Sequence, residues 1–571
     1  MRVQHVLFFT LFLTACGGTA SDPTAPRSVA AQRQPAPPPP APALSVPRLA
    51  AHVAAVSQRF DAERAHATVA YVERYFRVRG NLGYVKTLER VQRELSEGGF
   101  DTSHVQMLAL GEERPTWTPR AAHLTLLGDE EAELIGFDNE AEPDRGTLLV
   151  GSDATPATEL EVVRLEQVQA GASARGRLVL ADGSPRTVFE AASSAGARGI
   201  LVRNLESYHQ PDRFPDAAQF GYLPEHEGPA LGFSLSDRVW RRLRAATESG
   251  PARVRVQVDV AIGRSRAGAI EARIDGQQSH GAVVYVAHVD EPGANDNGSG
   301  VAALAELARS MRAGIEAGEL PRPRRPMVFL WGQEMEIART WLESSNATPG
   351  AGLVLDMVGQ DPDIVGAPFL IERMPDPGAV WLRAPDEHSE WGQGDVQESQ
   401  LRGHFLNALT NAAAAQVPGT FTYRENPFEG GSDHVPFLER GLPAVLGWHF
   451  TDSAYHTTLD RIDRVSGAEM RRVASAFGGL GISMASEAPE DLDEMLNAVD
   501  HHAYVRLGHA VTAARAGEDA ELERRVVDAW TAWYVQAYDS VGAWPADTPA
   551  ALTTRIETQR DRFRAAAGDA L

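Results

Sequence analysis

The stretch VVYVAHVDEPGANDNGSGVAALAELA, Val283–Ala308, decides the fold. Its first five residues, Val283–Ala287, are apolar and run straight into His288 and Asp290. A glycine-rich turn carrying Asp296 follows, and then an Ala/Leu-rich helical pattern. A short apolar run closed by a turn signal reads as a buried strand. Gly298 and Gly300 free the backbone for a tight turn into a helix, but a turn alone has no need of Asp296.

The same pattern recurs on the C-terminal side. PMVFLWGQE (Pro326–Glu334), GAGLVLDMVG (Gly350–Gly359) and GLPAVLGWHF (Gly441–Phe450) read as apolar strands. The stretches GVAALAELARSM (Gly300–Met311) and LRGHFLNALTNAAAAQ (Leu401–Gln416) read as helices between them. Alternation of this kind predicts an α/β fold with a mainly parallel mixed sheet flanked by helices. Ligands bind such sheets beyond the carboxyl ends of the strands. That is where His288, Asp290, Asp296, Glu334, Asp356 and His456 fall, the last in the loop after Phe450. Two histidines and several carboxylates at one sheet edge suffice for two divalent ions, and this donor mixture suits zinc.

Outside this core, apolar Tyr84, Leu88, Val91 and Leu95 at helical spacing end at a Gly98–Gly99 stop. RGRLVLADG (Arg175–Gly183) and TVFEAASSAGARGILVRN (Thr187–Asn204) read as a strand, a helix and a second strand, and resemble a protease-associated (PA) domain. The C-terminal stretch is helical, with a stripe of Leu522, Val526, Trp530, Trp533 and Ala537 that reads as core. At the N-terminus Arg2 precedes the apolar run Val6–Leu13, which is too short to span a bilayer. It ends in LTAC, Leu13–Cys16, which resembles a bacterial lipobox. Cys16 is the only cysteine, so a lipidated mature protein has no disulfide. The Pro-rich segment after it, with Pro37–Pro40, reads as a semi-stiff tether.

The expected plan is a lipoprotein signal peptide (1–16), a tether (17–48), the N-terminal part of the α/β domain (49–137), a PA-like insertion (138–260), the part of that domain with the metal ligands (261–488) and a helical segment (489–571). A formal net charge of −23 over 571 residues argues against a nucleic-acid partner. The expected location is the bacterial cell envelope, with the lipid membrane as a partner through acylated Cys16.

Taken in order, HVD, GANDNGSG, WGQE, LDMVG, GSDHVPF and YHTTLD resemble the M28 family of metallopeptidases, the co-catalytic zinc aminopeptidases. The resemblance implies an enzyme that hydrolyses N-terminal residues of peptides, with two zinc ions activating water. It implies that His288 and Asp356 hold one metal, Glu334 and His456 the other, and that Asp296 bridges them, with Asn297 following a cis peptide bond. Asp290 would fix the His288 ring. Ser432, Asp433, His434 and Tyr455 would line or brace the site, and Asp460 would either order the His456 loop or cap a helix.

One departure stands out. The family has two adjacent glutamates, a general base and then a metal ligand, where this chain reads Gln333 and Glu334. Gln333 cannot accept a proton at neutral pH. If the strand stays extended, Glu336 faces the same side as Glu334 and can stand in as base. The competing expectations are a non-catalytic or weakly active binding protein on this fold, and a glutaminyl-cyclase-like or amidohydrolase enzyme.

Overall fold

The computed structural model describes residues 40–570, apart from positions 140, 229, 249, 346, 393, 395 and 545–547. Cys16, the signal segment and most of the tether lie outside the described residues. Thirteen strands form one sheet: β1 (Val105–Leu127), β2 (Ala132–Phe137), β3 (Thr155–Arg164), β4 (Leu178–Asp182), β5 (Gly199–Arg203), β6 (Leu231–Ser234), β7 (Ala252–Ile274), β8 (His280–His288), β9 (Met327–Gly332), β10 (Thr348–Leu355), β11 (Phe369–Glu372), β12 (Tyr423–Asn426) and β13 (Ala444–His449). The order across it is β12-β11-β13-β10-β8-β9-β7-β3-β4-β5-β6.

Four strands, β13-β10-β8-β9, are mutually parallel, and they are the four apolar runs of the sequence. Both faces are covered, so side chains from Ala282 to Ala287 and from Met327 to Trp331 are fully buried, as parallel sheets require. The register brings their carboxyl ends level: His288 pairs with Gly332, Val286 with Val354, and Leu355 with Gly447. Asp296 reaches the same edge because the loop after β8 turns into the helix Gly298–Glu316. That helix is capped by the Asn297 side chain, which accepts the Gly300 N–H.

The expectation of an insertion with its own boundary near residue 138 meets a different arrangement. β1 and β7 are 23 residues each and pair antiparallel from Val105–Ala272 to Leu127–Arg253. β7 pairs antiparallel with β9 at one end and with β3 at the other, so the sheet runs without a break into the parallel set β3-β4-β5-β6. The segment is α/β, as its sequence suggests; one apolar cluster, around Val179 and Ile200, lies within it, and another, around Val254 and Phe233, is shared with Phe76, Trp117 and Leu124.

The C-terminal helices, Pro489–Ala516, Ala520–Ala543 and Ala550–Ala570, share one core with the central sheet and the N-terminal helices. Trp530 and Trp533 are buried there, as the stripe implies. These helices also grip the excursion between β11 and β12. Arg506 meets Asp386 at 2.8 Å, and Asp386 in turn meets the buried Arg373 at 3.0 Å. The Trp533 indole donates to the Pro375 carbonyl at 3.1 Å, and a Cβ on Gly403 would strike the Trp533 carbonyl oxygen.

Candidate metal centre

His288 ends β8 with its ring buried. Its Nδ1 lies 3.0 Å from the Asp290 backbone carbonyl, which can only accept, so Nδ1 carries the hydrogen. Nε2 then faces Asp356 Oδ1 at 3.1 Å and Asp296 Oδ1 at 3.8 Å. Asp296 points its second oxygen the other way, 3.1 Å from His456 Nε2. One carboxylate thus looks at both histidines, one oxygen each. The Asp296–Asn297 peptide is cis. Asn297 holds the turn together by donating to the Leu355 carbonyl and accepting from Gly300 and Met357 N–H groups.

The surroundings fix this pair of imidazoles and carboxylates. Asp460 caps no helix: its two oxygens accept the backbone N–H groups of Asn295 and Asp296, at 2.7 and 2.9 Å. A Cβ on Gly293 would sit 1.9 Å from an Asp460 oxygen, so that position must be glycine. Ser432 donates to Asp356 Oδ2 at 2.8 Å. Asp433 accepts the Met335 N–H at 2.6 Å. His434 meets Glu372 at 2.9 Å, which also accepts the Gly430 N–H. Tyr455 stacks on His456 with ring centres 3.8 Å apart. Asp290 acts differently from expectation: its backbone, not its carboxylate, orients His288, and the carboxylate accepts the Glu334 N–H at 2.9 Å.

Two expected roles change. Glu336 does not share a side with Glu334, because the strand does not stay extended: β9 ends at Gly332, Met335 has φ 56°, and a helix starts at Glu336. The Glu336 carboxylate lies 3.4 Å from Arg79, outside the cavity wall. Glu334 does not group with His456. Its carboxylate closes instead with His288 and Asp356, all within 4.8 Å of one another. Gln333 is not on the cavity wall, and its amide oxygen is buried without a hydrogen-bond partner.

Three contributors escaped the sequence reading. Glu291, directly after Asp290, lies 3.2 Å from His456 Nε2. Its signal was the adjacent acidic pair Asp290–Glu291 at a strand end. Arg77 is fully buried and donates to the carbonyls of Val72 and Val289 at 2.9 and 3.2 Å, tying the N-terminal helices to the metal loop. Burial lowers its pKa to about 10, against the pull of Asp460 and Asp296. The segment before β6 clamps the His456 loop: Phe220 N–H donates to the His456 carbonyl at 2.6 Å, and His209 Nε2 meets the Tyr455 carbonyl at 3.0 Å. No local pattern announces a contact made across some 240 residues.

The electrostatics call for cations. Burial, and then the charge of neighbouring Glu291, pushes the Asp296 pKa far above the usual carboxylate range. Burial lifts Glu334 strongly and Glu291 to about 7. Burial alone would favour neutral His288, but the Asp356 carboxylate outweighs it and holds the ring's pKa well above normal. Asp296 Oδ1 is buried with no hydrogen-bond partner, and His456 Nε2 makes no hydrogen bond of proper angle. Several carboxylates crowded beside two imidazoles are costly unless divalent charge offsets them. Imidazole nitrogen and carboxylate oxygen are ligands that zinc takes, so the residues present fit the pair of ions.

The family model for peptidase family M28 matches residues 270–480. The chain carries a peptidase family M28 domain. The M28 match spans β8, β9, β10 and β13 and the candidate ligands from His288 to His456. Curated relatives match over shorter reach. An uncharacterized Escherichia coli protein, YfbL, is 28% identical over 203 residues, 32% of this chain and 57% of that protein. A probable zinc metalloprotease of Leptosphaeria maculans is 31% identical over 167 residues, 27% of this chain and 37% of that protein. The chain thus spans about half the length of these relatives or less. Among solved structures, an M28 peptidase precursor from Shewanella amazonensis superposes with TM-score 0.55 at 18% identity, covering 77% of this chain and 97% of that one. A zinc aminopeptidase from Bacillus subtilis gives TM-score 0.51 at 16% identity, covering 76% and 97%. At such identities the likeness of the M28 domain to these structures is one of fold.

Proposed function

We propose that the chain is a zinc-dependent exopeptidase that removes N-terminal residues from peptides at the bacterial cell envelope. The observation that carries this reading is the placement of Asp296, with one oxygen towards each of two histidines. His288, Asp356, Asp296 and His456 would hold two zinc ions, which supply Lewis acidity for the scissile carbonyl and lower the pKa of an attacking water.

The protein's own groups supply the rest. Beside the ligands lies a cavity of about 200 Å³, walled by Met357, Trp391, Leu446, Trp448 and Tyr455. A space of that size, with the candidate ligands on one side and apolar groups on the other, takes about one side chain, which suits removal of a terminal residue better than cleavage within a long chain. Trp391 comes from the excursion after β11, so that segment walls the substrate space. Glu334 presents its carboxylate at the cavity wall, steadied by the Asp290 bond to its N–H, and can take the proton of the attacking water. With that carboxylate in place, Gln333 no longer argues for a non-catalytic binding protein. Two donor sets around one bridging aspartate speak for two ions and against a single-metal cyclase.

The test is release of N-terminal residues from a panel of short peptides and aminoacyl amides by the purified chain. Activity should vanish on chelation and return with zinc. Internal cleavage without release of N-terminal residues would contradict the exopeptidase reading.

No helix among the described residues is long and apolar enough to cross a membrane. We propose separately that attachment to the envelope runs through Cys16, on the strength of Leu13–Cys16 and the Pro-rich stretch after it. A fatty-acid analogue should label the wild type and not Cys16→Ala. Equal labelling of both would rule the anchor out.

A further inference from the structure

We propose that a groove next to the substrate cavity, lined by Arg213 and Arg464, is a second subsite that takes a carboxylate carried by the peptide beyond its N-terminal residue. The inference rests on the exopeptidase reading above and deepens it by naming a substrate class, short or acidic peptides.

The groove measures about 540 Å³ and opens between the chain before β6 and the excursion that runs from β11 to β12. It shares walls with the cavity at the ligands. Glu390 lines the groove and its neighbour Trp391 the cavity; Ser453 lines the groove and Tyr455 the cavity. Neighbouring Cα atoms are ~3.8 Å apart, so the groove begins about one residue's length from the cavity. Trp391 is 38% exposed at the edge between them. Phe450, on the groove side, meets the Tyr455 ring with centres 5.3 Å apart. An extended peptide gains ~3.3–3.6 Å per residue. With its first residue in the cavity, its second or third residue comes level with the groove.

The groove carries cations that no ion pair offsets. The guanidiniums of Arg213 and Arg464 both lie over the Phe214 ring, 4.9 and 5.3 Å from its centre. Among the described residues neither forms an ion pair, and Arg213 has only the Gln210 amide oxygen at 3.4 Å. Asp452 feels the charge of Arg464 but is itself buried, accepting from Ala454 N–H and the Asn295 amide. Two like charges on one aromatic ring repel each other until an anion joins them. Arginine suits that anion, because its planar guanidinium presents paired donors to a carboxylate. With a formal net charge of −23 the protein as a whole repels acidic peptides, so a local pair of arginines decides where a carboxylate can settle.

The groove's own carboxylates come from the excursion. Glu387 lies 3.5 Å from Arg424, which offsets it, and Glu390 adjoins Trp391. Arg213 comes from the chain before β6, and Arg464 from the turn after the His456 loop. The anion is therefore drawn to the Arg213–Arg464 side. The bland alternative is that both arginines are solvated surface groups with no ligand.

The experiment compares tripeptides that differ only in a C-terminal acid or amide, and amidated tripeptides with Glu or Gln at the second or third position. Their Kd is measured by calorimetry on the metal-free full chain, so that no zinc can hold the carboxylate. At least one acid should bind about 10-fold more tightly than its neutral partner, the scale of a hydrogen bond to a charged group. The gap should shrink in ~1 M salt, which screens charges beyond ~3 Å. A gap in the acid and amide pair alone assigns the subsite to the peptide's C-terminus, and a gap in the Glu and Gln pairs alone to an acidic side chain. Arg213→Gln, at an exposed position, should narrow the gap, and Arg213→Gln with Arg464→Gln should close it. KM on the zinc-loaded chain should follow the same order. Equal affinity for every acid and its neutral partner, or a gap untouched by the double substitution, would overturn the subsite, while hydrolysis of the same peptides kept the exopeptidase reading. A zinc-loaded chain that releases no N-terminal residue from any of them would overturn both.

Discussion

Replacing Asp296 with alanine should strip the chain of both zinc ions and reduce peptidase activity to background. Asp296 Oδ1 looks to His288 and Oδ2 to His456. Removing it takes one ligand from each site at once, whereas replacing Asp356 or His456 should mainly empty one. The loop itself need not collapse, because the Asp460 carboxylate grips the backbone N–H groups of residues 295 and 296 whatever the side chain. The buried, unpartnered carboxylate is also a burden on the metal-free fold. The metal-free variant should therefore melt no lower than metal-free wild type. Both measurements, zinc content and melting, are made on the same preparation. A variant that retains two zinc ions would refute the bridging role.

Replacing Glu334 with glutamine should lower kcat by ~10²–10⁴, the usual worth of general-base help, while both zinc ions and KM stay near wild type. Glutamine keeps the shape and the backbone bond to Asp290, and loses only the ability to take a proton. Gln333→Glu and Glu336→Gln should each stay within a few-fold of wild type, since neither side chain is on the cavity wall. Loss of most activity in Glu336→Gln, with Glu334→Gln left active, would return the base to Glu336.

That contrast marks how far the sequence could be read. The four parallel strands were legible because apolar runs of strand length, each ending in a histidine or carboxylate, leave little choice of where they end. Their level carboxyl ends follow from the parallel register, so most of the metal centre was legible with them. Glu336 was misplaced because period-two reasoning assumed a strand that the chain leaves at Gly332. Glu291 was passed over because it sits in the bend just after β8, where acidic residues are common for other reasons. The reach of β1 and β7 through the whole sheet was hidden in long-range pairing that leaves no local trace. Arg77, His209 and Phe220 act through backbone carbonyls and amides far away in sequence, a kind of contact that residue type does not encode.

The grip of the C-terminal helices on the Trp391-bearing wall has a bearing on biosynthesis. Arg373 and Asp386 are buried and charged, and Arg506 and Trp533 complete their surroundings from more than 100 residues downstream. As the chain leaves the ribosome, the metal ligands from His288 to His456 all emerge first. The wall beside the ligands is not complete until the helices after Pro489 have followed, because Arg506 and Trp533 supply part of its polar surroundings. A nascent chain therefore carries every candidate metal ligand before the wall beside them is complete.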